Sequence, residues 1–134
     1  MKPYLDSSAL VKLVQQETES AALRQYLRRH RDDGRVTSAL ARVEVVRAVP
    51  GSGVRAIGHA RRTLARVDQI HLDRPLLDDA ATVALSSVLR SLDALHLAAA
   101  RLLGSDLRAV VTYDEKMAAS ASGLGMPVER PGVS

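Results

Sequence analysis

Four carboxylates stand where an α/β chain could bring them to one pocket: Asp6, Glu44, Asp93 and Asp114. Asp6 closes a short apolar-rich segment, Lys2 to Leu5, that reads as a first strand. Asp114 follows the apolar run Ala109-Val110-Val111-Thr112, a second strand candidate bounded by charges. In open α/β sheets, ligands bind outside the carboxyl ends of the strands, near the point where the strand order reverses. Asp93 lies in the first turn of the helix expected over residues 91–103, and Glu44 lies in the middle of a helix expected over residues 39–49. Each acid has a structural role open to it as well. Asp114 is a good helix N-cap, Asp93 complements a helix dipole, and Glu44 can pair with Arg47 three residues on. Glu44, however, is flanked by Val43, Val45 and Val46. A partly buried carboxylate without a partner is costly, which favours a ligand role.

Four acids in one pocket cannot all stay ionised uncompensated. Two unit charges 4 Å apart repel by roughly 4 kcal/mol at an effective dielectric of 20. The cluster must take up protons or bind cations. Oxygen ligands without cysteine, and with His96 as the nearby histidine in sequence, suit Mg²⁺ or Mn²⁺ rather than Zn²⁺. Such a metal can lower the pKa of a bound water and so serve a hydrolysis. Asp6 and Asp93 are then the central ligands, with Glu44 and Asp114 supporting. His96, one turn after Asp93, is expected to be a satisfied structural histidine. Lys12, Arg47 and the arginines between Arg55 and Arg66 are candidates for phosphate contacts, although a solvated helix face explains them too.

Strands alternating with helices must position these groups. The pattern predicts strands at 2–5, 35–38, 68–72 and 109–112, with an edge strand at 126–129. Helices are expected at 9–15, from Thr18 to the Asp32-Asp33-Gly34 turn, and at 39–49, 54–67, 76–88, 91–103 and from Asp114 to near Gly123. Ser7 or Ser8 is expected to cap the first helix. Leu92, Leu95, Ala99 and Leu102 are expected to form the buried stripe of the 91–103 helix. The segment Pro50-Gly51-Ser52-Gly53 is a loose turn, too short for a linker. The expected class is α/β with a mostly parallel sheet and helices on both faces.

At 134 residues, the length suits one domain, 1–134. Three tyrosines, no phenylalanine and no tryptophan leave little for base-stacking platforms. The lack of cysteine excludes disulfides, thiolate metal sites and a cysteine nucleophile. The net charge is +4, and arginine supplies 16 of the 19 basic residues, which suits bidentate phosphate contacts. An acid at position 6 stands where a signal peptide would be apolar, so a cytoplasmic location is expected.

The segments Leu5-Asp6-Ser7-Ser8-Ala9-Leu10-Val11-Lys12-Leu13, Ser38-Ala39-Leu40-Ala41-Arg42-Val43-Glu44, Leu92-Asp93-Ala94-Leu95-His96-Leu97-Ala98 and Val111-Thr112-Tyr113-Asp114 resemble the PIN-domain family in sequence and order. More closely, they resemble VapC-type toxins of toxin–antitoxin pairs. The resemblance covers essentially the whole chain. It implies a single compact α/β/α sandwich with a mostly parallel central sheet, and a Mg²⁺- or Mn²⁺-dependent ribonuclease. Asp6, Glu44, Asp93 and Asp114 match the family's acids, and Ser8 and Thr112 match hydroxyl positions beside its metal pocket. An RNA substrate, a cognate VapB-type antitoxin and a homodimer follow from the same resemblance. Two competitors fit less well. A receiver domain wants adjacent acids after its first strand, and a haloacid-dehalogenase-like phosphatase wants an acid at position 8, which is Ser. A non-catalytic binding protein on the same fold, keeping the acids merely as caps, is the remaining alternative.

Overall fold

The computed structural model describes residues 1–49 and 53–133. Pro50, Gly51 and Ser52, three of the four residues of the expected loose turn, lie outside them. Five strands form one sheet in the order β3-β2-β1-β4-β5, and every neighbouring pair is parallel. They are β1 (Lys2–Leu5), β2 (Val36–Ser38), β3 (Asp68–Ile70), β4 (Leu107–Val111) and β5 (Val128–Glu129). The helices are α1 (Ser7–Val14), α2 (Ser20–Arg29), α3 (Ala41–Ala48), α4 (Val54–Leu64), α5 (Arg74–Thr82), α6 (Ser91–Arg101) and α7 (Glu115–Gly123).

The pleat of the two inner strands divides the core. Tyr4 and Val110 face a cluster with Leu76, Leu97 and Met117 from α5, α6 and α7. Leu5 and Val111, one residue on, face the opposite cluster with Leu10, Leu23, Val45 and Leu64 from α1 to α4. Period-two alternation thus builds an α/β/α sandwich from strands that are apolar on both sides. Pro3 has no N–H for a ladder, and the β1–β4 register shifts between Lys2 and Pro3.

The chain leaves β1 and β2 on one side of the sheet and β4 on the other, so the order reverses between β1 and β4. Asp6 and Thr112 follow the carboxyl ends of these two strands, and the Asp6 amide donates to the Val111 carbonyl at 3.2 Å. The crevice expected of such a reversal is therefore where Asp6 sits, with Thr112 between it and Asp114.

Three expectations need correction. Asp6, not Ser7 or Ser8, caps α1, its carboxylate accepting from the Ala9 amide. The helix α5 stops at Thr82 rather than Val88, because Val83 turns extended and buries its side chain while Ala84 takes a positive φ of 52°. In α6, Leu92 and Leu102 are exposed, whereas residues 96–100 are all buried. This helix lies between the sheet and α5 and touches β2, β4 and α7. Of the expected stripe, Ala99 is buried and Leu95 partly so, while the small alanines at 98–100 extend the covered face and Leu92 and Leu102 lie outside it.

Candidate functional site

Asp6 is almost wholly buried, at 4% exposure, and fully engaged. Oδ1 accepts from Ser8 Oγ at 2.6 Å and from the Ala9 amide at 3.0 Å, while Oδ2 accepts from Thr112 Oγ1. Thr112 Oγ1 also accepts from the Asp114 amide at 3.1 Å, and Ser8 Oγ accepts from the Tyr113 amide at 2.9 Å. The two expected hydroxyls thus tie β1 to β4 around one carboxylate. Burial raises the pKa of Asp6, against the opposing effects of the His96 charge and the Ser8 and Thr112 hydrogen bonds. Burial, rather than repulsion from another acid, is the largest cause.

Glu44 is partly buried, as expected from its valine neighbours, but it does not pair with Arg47. Its Oε1 takes the Ser7 hydroxyl at 2.5 Å and lies 2.7 Å from His96 Nε2. The buried His96 ring holds the Tyr4 hydroxyl on Nδ1 at 2.7 Å. His96 is the satisfied structural histidine expected, and its partner is one of the four acids. Burial pushes the Glu44 carboxyl up, but hydrogen bonds from His96 and Ser7 outweigh it and hold the carboxyl below its ordinary range.

Asp93 and Asp114 meet a cation of the chain itself. Arg90 Nε donates to Asp93 Oδ2 at 3.0 Å, and Arg90 Nη2 lies 3.7 Å from Asp114 Oδ2. Asp114 also caps α7 through the Met117 amide at 2.9 Å. Val88, Leu89, Arg90, Asp93, Tyr113, Asp114, Glu115 and Lys116 line an open cleft of about 580 Å³.

Sequence reasoning missed Ser7 and Arg90, although each sits beside or one turn from an acid it named. It also placed Lys12 among phosphate contacts. Lys12 Nζ instead binds Glu19 at 2.7 Å and Glu17 at 3.3 Å, and lies 4.7 Å from the Tyr113 ring centre. Arg47, Arg55, Arg61, Arg62 and Arg66 are exposed.

The donors fit a hard divalent cation in chemistry: carboxylate oxygens, with the Asp6 carboxylate pinned by two hydroxyls and an amide. Each Asp6 oxygen has two lone pairs, and Oδ2 spends one on Thr112. As placed, however, no three His, Asp or Glu side chains among the described residues converge closely enough to hold one ion. Arg90 already spans two of the acids.

The PIN domain family matches over residues 4–122. The chain belongs to the PIN-domain family. Within it, the chain is 51% identical over 129 residues to Ribonuclease VapC46 of Mycobacterium tuberculosis, covering 96% of both proteins. It is 40% identical over 131 residues to Ribonuclease VapC35 of the same species, again over 96% of each. These relatives make it a PIN-domain protein of the VapC type. The crystal structure of Mycobacterium tuberculosis VapC20, described as a sarcin–ricin-loop-cleaving toxin, superposes with a TM-score of 0.74 at 18% identity. That match covers 96% of this chain and 99% of VapC20, and it shows the PIN fold.

Proposed function

We propose that this VapC-type PIN domain, one domain over residues 1–134, is a metal-dependent ribonuclease and the toxin of a VapBC-type pair. One observation carries the proposal. A buried carboxylate, Asp6, is held by Ser8, Thr112 and the Ala9 amide at the reversal point of a parallel sheet, beside an open cleft containing Asp93 and Asp114. Two ribonuclease relatives that align along nearly the whole chain support the reaction class. The cofactor is Mg²⁺ or Mn²⁺, which Asp6, Asp93, Glu44 and Asp114 would hold. Bound there, it would polarise a phosphodiester and lower the pKa of an attacking water.

The residues divide the work. Ser8 and Thr112 orient Asp6, and the buried setting keeps bulk water from competing for it. His96 and Ser7 keep Glu44 ionised. A carboxylate whose pKa is lowered is a weaker proton acceptor, so Glu44 is suited to serve as a fixed charge and a water-orienting group. The exposed arginines of α4 and Arg47 supply positive charge for the RNA backbone.

As a VapC-type toxin in the cytoplasm, the protein would be neutralised by a cognate VapB-type antitoxin and would form a homodimer. No helix among the described residues is long and apolar enough to cross a membrane.

The deciding experiment is end analysis of RNA cut by the purified protein with Mn²⁺. Water attack at phosphorus expels the 3′ oxygen, which takes up a proton, leaving a 3′-hydroxyl and a 5′-phosphate, and EDTA stops the reaction. A 2′,3′-cyclic phosphate that still forms in EDTA would overturn the mechanism.

A further inference from the structure

Arg90 stands at the head of α6 without capping its helix through its side chain. Its guanidinium reaches sideways to carboxylates on two elements, Asp93 in the first turn of α6 and Asp114 at the head of α7. The arginine side chain is 79% exposed, while those of Asp93 and Asp114 are 14% and 31% exposed. An exposed ion pair usually contributes little, since water and salt screen it and side-chain freedom is lost. A guanidinium shared by two carboxylates at the rim of a cleft is a different arrangement. Each carboxylate would otherwise repel the other, and an arginine stays charged at any working pH. The place that attracts this cation is the place where a divalent ion would attract the same oxygens.

We propose that Arg90 is a built-in counter-cation that competes with the divalent metal for Asp93 and Asp114. The inference rests on the metal-dependent reading above. Without metal, Arg90 compensates the acid pair. Metal entry requires its guanidinium to leave, and its exposure lets it do so without disturbing the core. Arg90 thereby sets the divalent concentration at which the site fills. A residue that merely held the acids in place would act in the opposite sense, because its loss would scatter the ligands.

The test compares the full chain with Arg90→Gln and Arg90→Lys, titrated with Mn²⁺ alone and followed by calorimetry and by electron paramagnetic resonance. Circular dichroism checks the fold of each variant. Arg90→Gln should bind Mn²⁺ at least threefold more tightly than the parent. Its melting temperature should be lower in EDTA, and Mn²⁺ should raise it by more. Arg90→Lys, which keeps the charge but loses the planar fork, should fall between the two. Unchanged or weaker Mn²⁺ binding by Arg90→Gln overturns the competition. Asp6→Asn separates this failure from that of the underlying reading. If the parent binds Mn²⁺ no better than Asp6→Asn does, the metal site itself is wrong and the proposal falls with it. If the parent binds and Asp6→Asn does not, only the role of Arg90 is at stake.

Discussion

Glu44 Oε1 and His96 Nε2 lie 2.7 Å apart across 52 residues of sequence, joining α3 to α6. The bond continues through the ring to the buried Tyr4 hydroxyl at the centre of the sheet. One imidazole thus connects a candidate ligand to the core. His96→Ala should leave the Tyr4 hydroxyl without its partner, at a cost of about 1–3 kcal/mol, and open a cavity as well. Urea melts should show a loss of at least 2 kcal/mol, estimated from those two effects. Tyr4→Phe in the His96→Ala background should recover part of it. A His96→Ala protein as stable as the parent would remove the network from the account.

Asp6→Asn should abolish RNA cleavage without unfolding the protein. The amide oxygen can still accept from Ser8 and Ala9, but an NH₂ group replaces the oxygen that faces Thr112. Cleavage assays with Mn²⁺, paired with thermal melts, check both halves. Cleavage at the parent's rate would exclude Asp6 from the chemistry.

Mn²⁺ or Mg²⁺ should stabilise the parent by about 2.7 kcal/mol at a hundredfold excess over the dissociation constant. Asp93→Asn should lose most of that gain. The acids alone suggest that this substitution relieves stored repulsion and raises the melting temperature in EDTA. Arg90 already compensates Asp93, so the melting temperature in EDTA should not rise. Thermal scans of both proteins with EDTA and with Mn²⁺ decide. A full metal shift in Asp93→Asn would take Asp93 out of the site.

Far from the cleft, Asp33 accepts from Arg108 Nε, and this hydrogen bond holds its carboxyl below the ordinary range. A lowered folded pKa contributes stability above the unfolded value, near 4, and the contribution is lost as pH falls through the folded value. The stability difference between the parent and Asp33→Asn should therefore be present at pH 7 and shrink as pH falls below about 4. Urea melts at several pH values will show it. A difference that stays constant from pH 7 to acid would mean that the pair is not electrostatic.

The chemistry was legible where it is local. Asp6 at the end of an apolar strand and Asp114 as a cap each sit within a few residues of what they serve, whereas the Ser8 and Thr112 hydroxyls were indicated by the family resemblance, and Thr112 reaches Asp6 across 106 residues. The apolar runs Lys2 to Leu5 and Ala109 to Thr112, bounded by charges, gave the two inner strands. What stayed hidden depends on long separations. The Ser7–Glu44 bond spans 37 residues and the Tyr4–His96 bond spans 92, and no spacing rule connects such positions. Arg90 was hidden for another reason: an arginine three residues before an acid at a helix head reads as an ordinary surface pair. The buried face of α6 was half legible: Ala99 and Leu95 belong to it, but Leu92 and Leu102 do not, and alanines line much of it.

The scarcity of aromatic side chains has a practical side. With no tryptophan and three tyrosines, near-ultraviolet emission from this chain comes from Tyr4, Tyr26 and Tyr113. Tyr4 is hydrogen-bonded to the imidazole that holds Glu44, and Tyr113 lines the cleft beneath the Lys12 ammonium. Two of its three fluorophores are therefore wired to the acids, and only Tyr26, packed near His30 on the opposite side of the sheet from Tyr4, is remote from them. If metal fills the proposed site, tyrosine emission should change on adding it, and no label is needed to read that change.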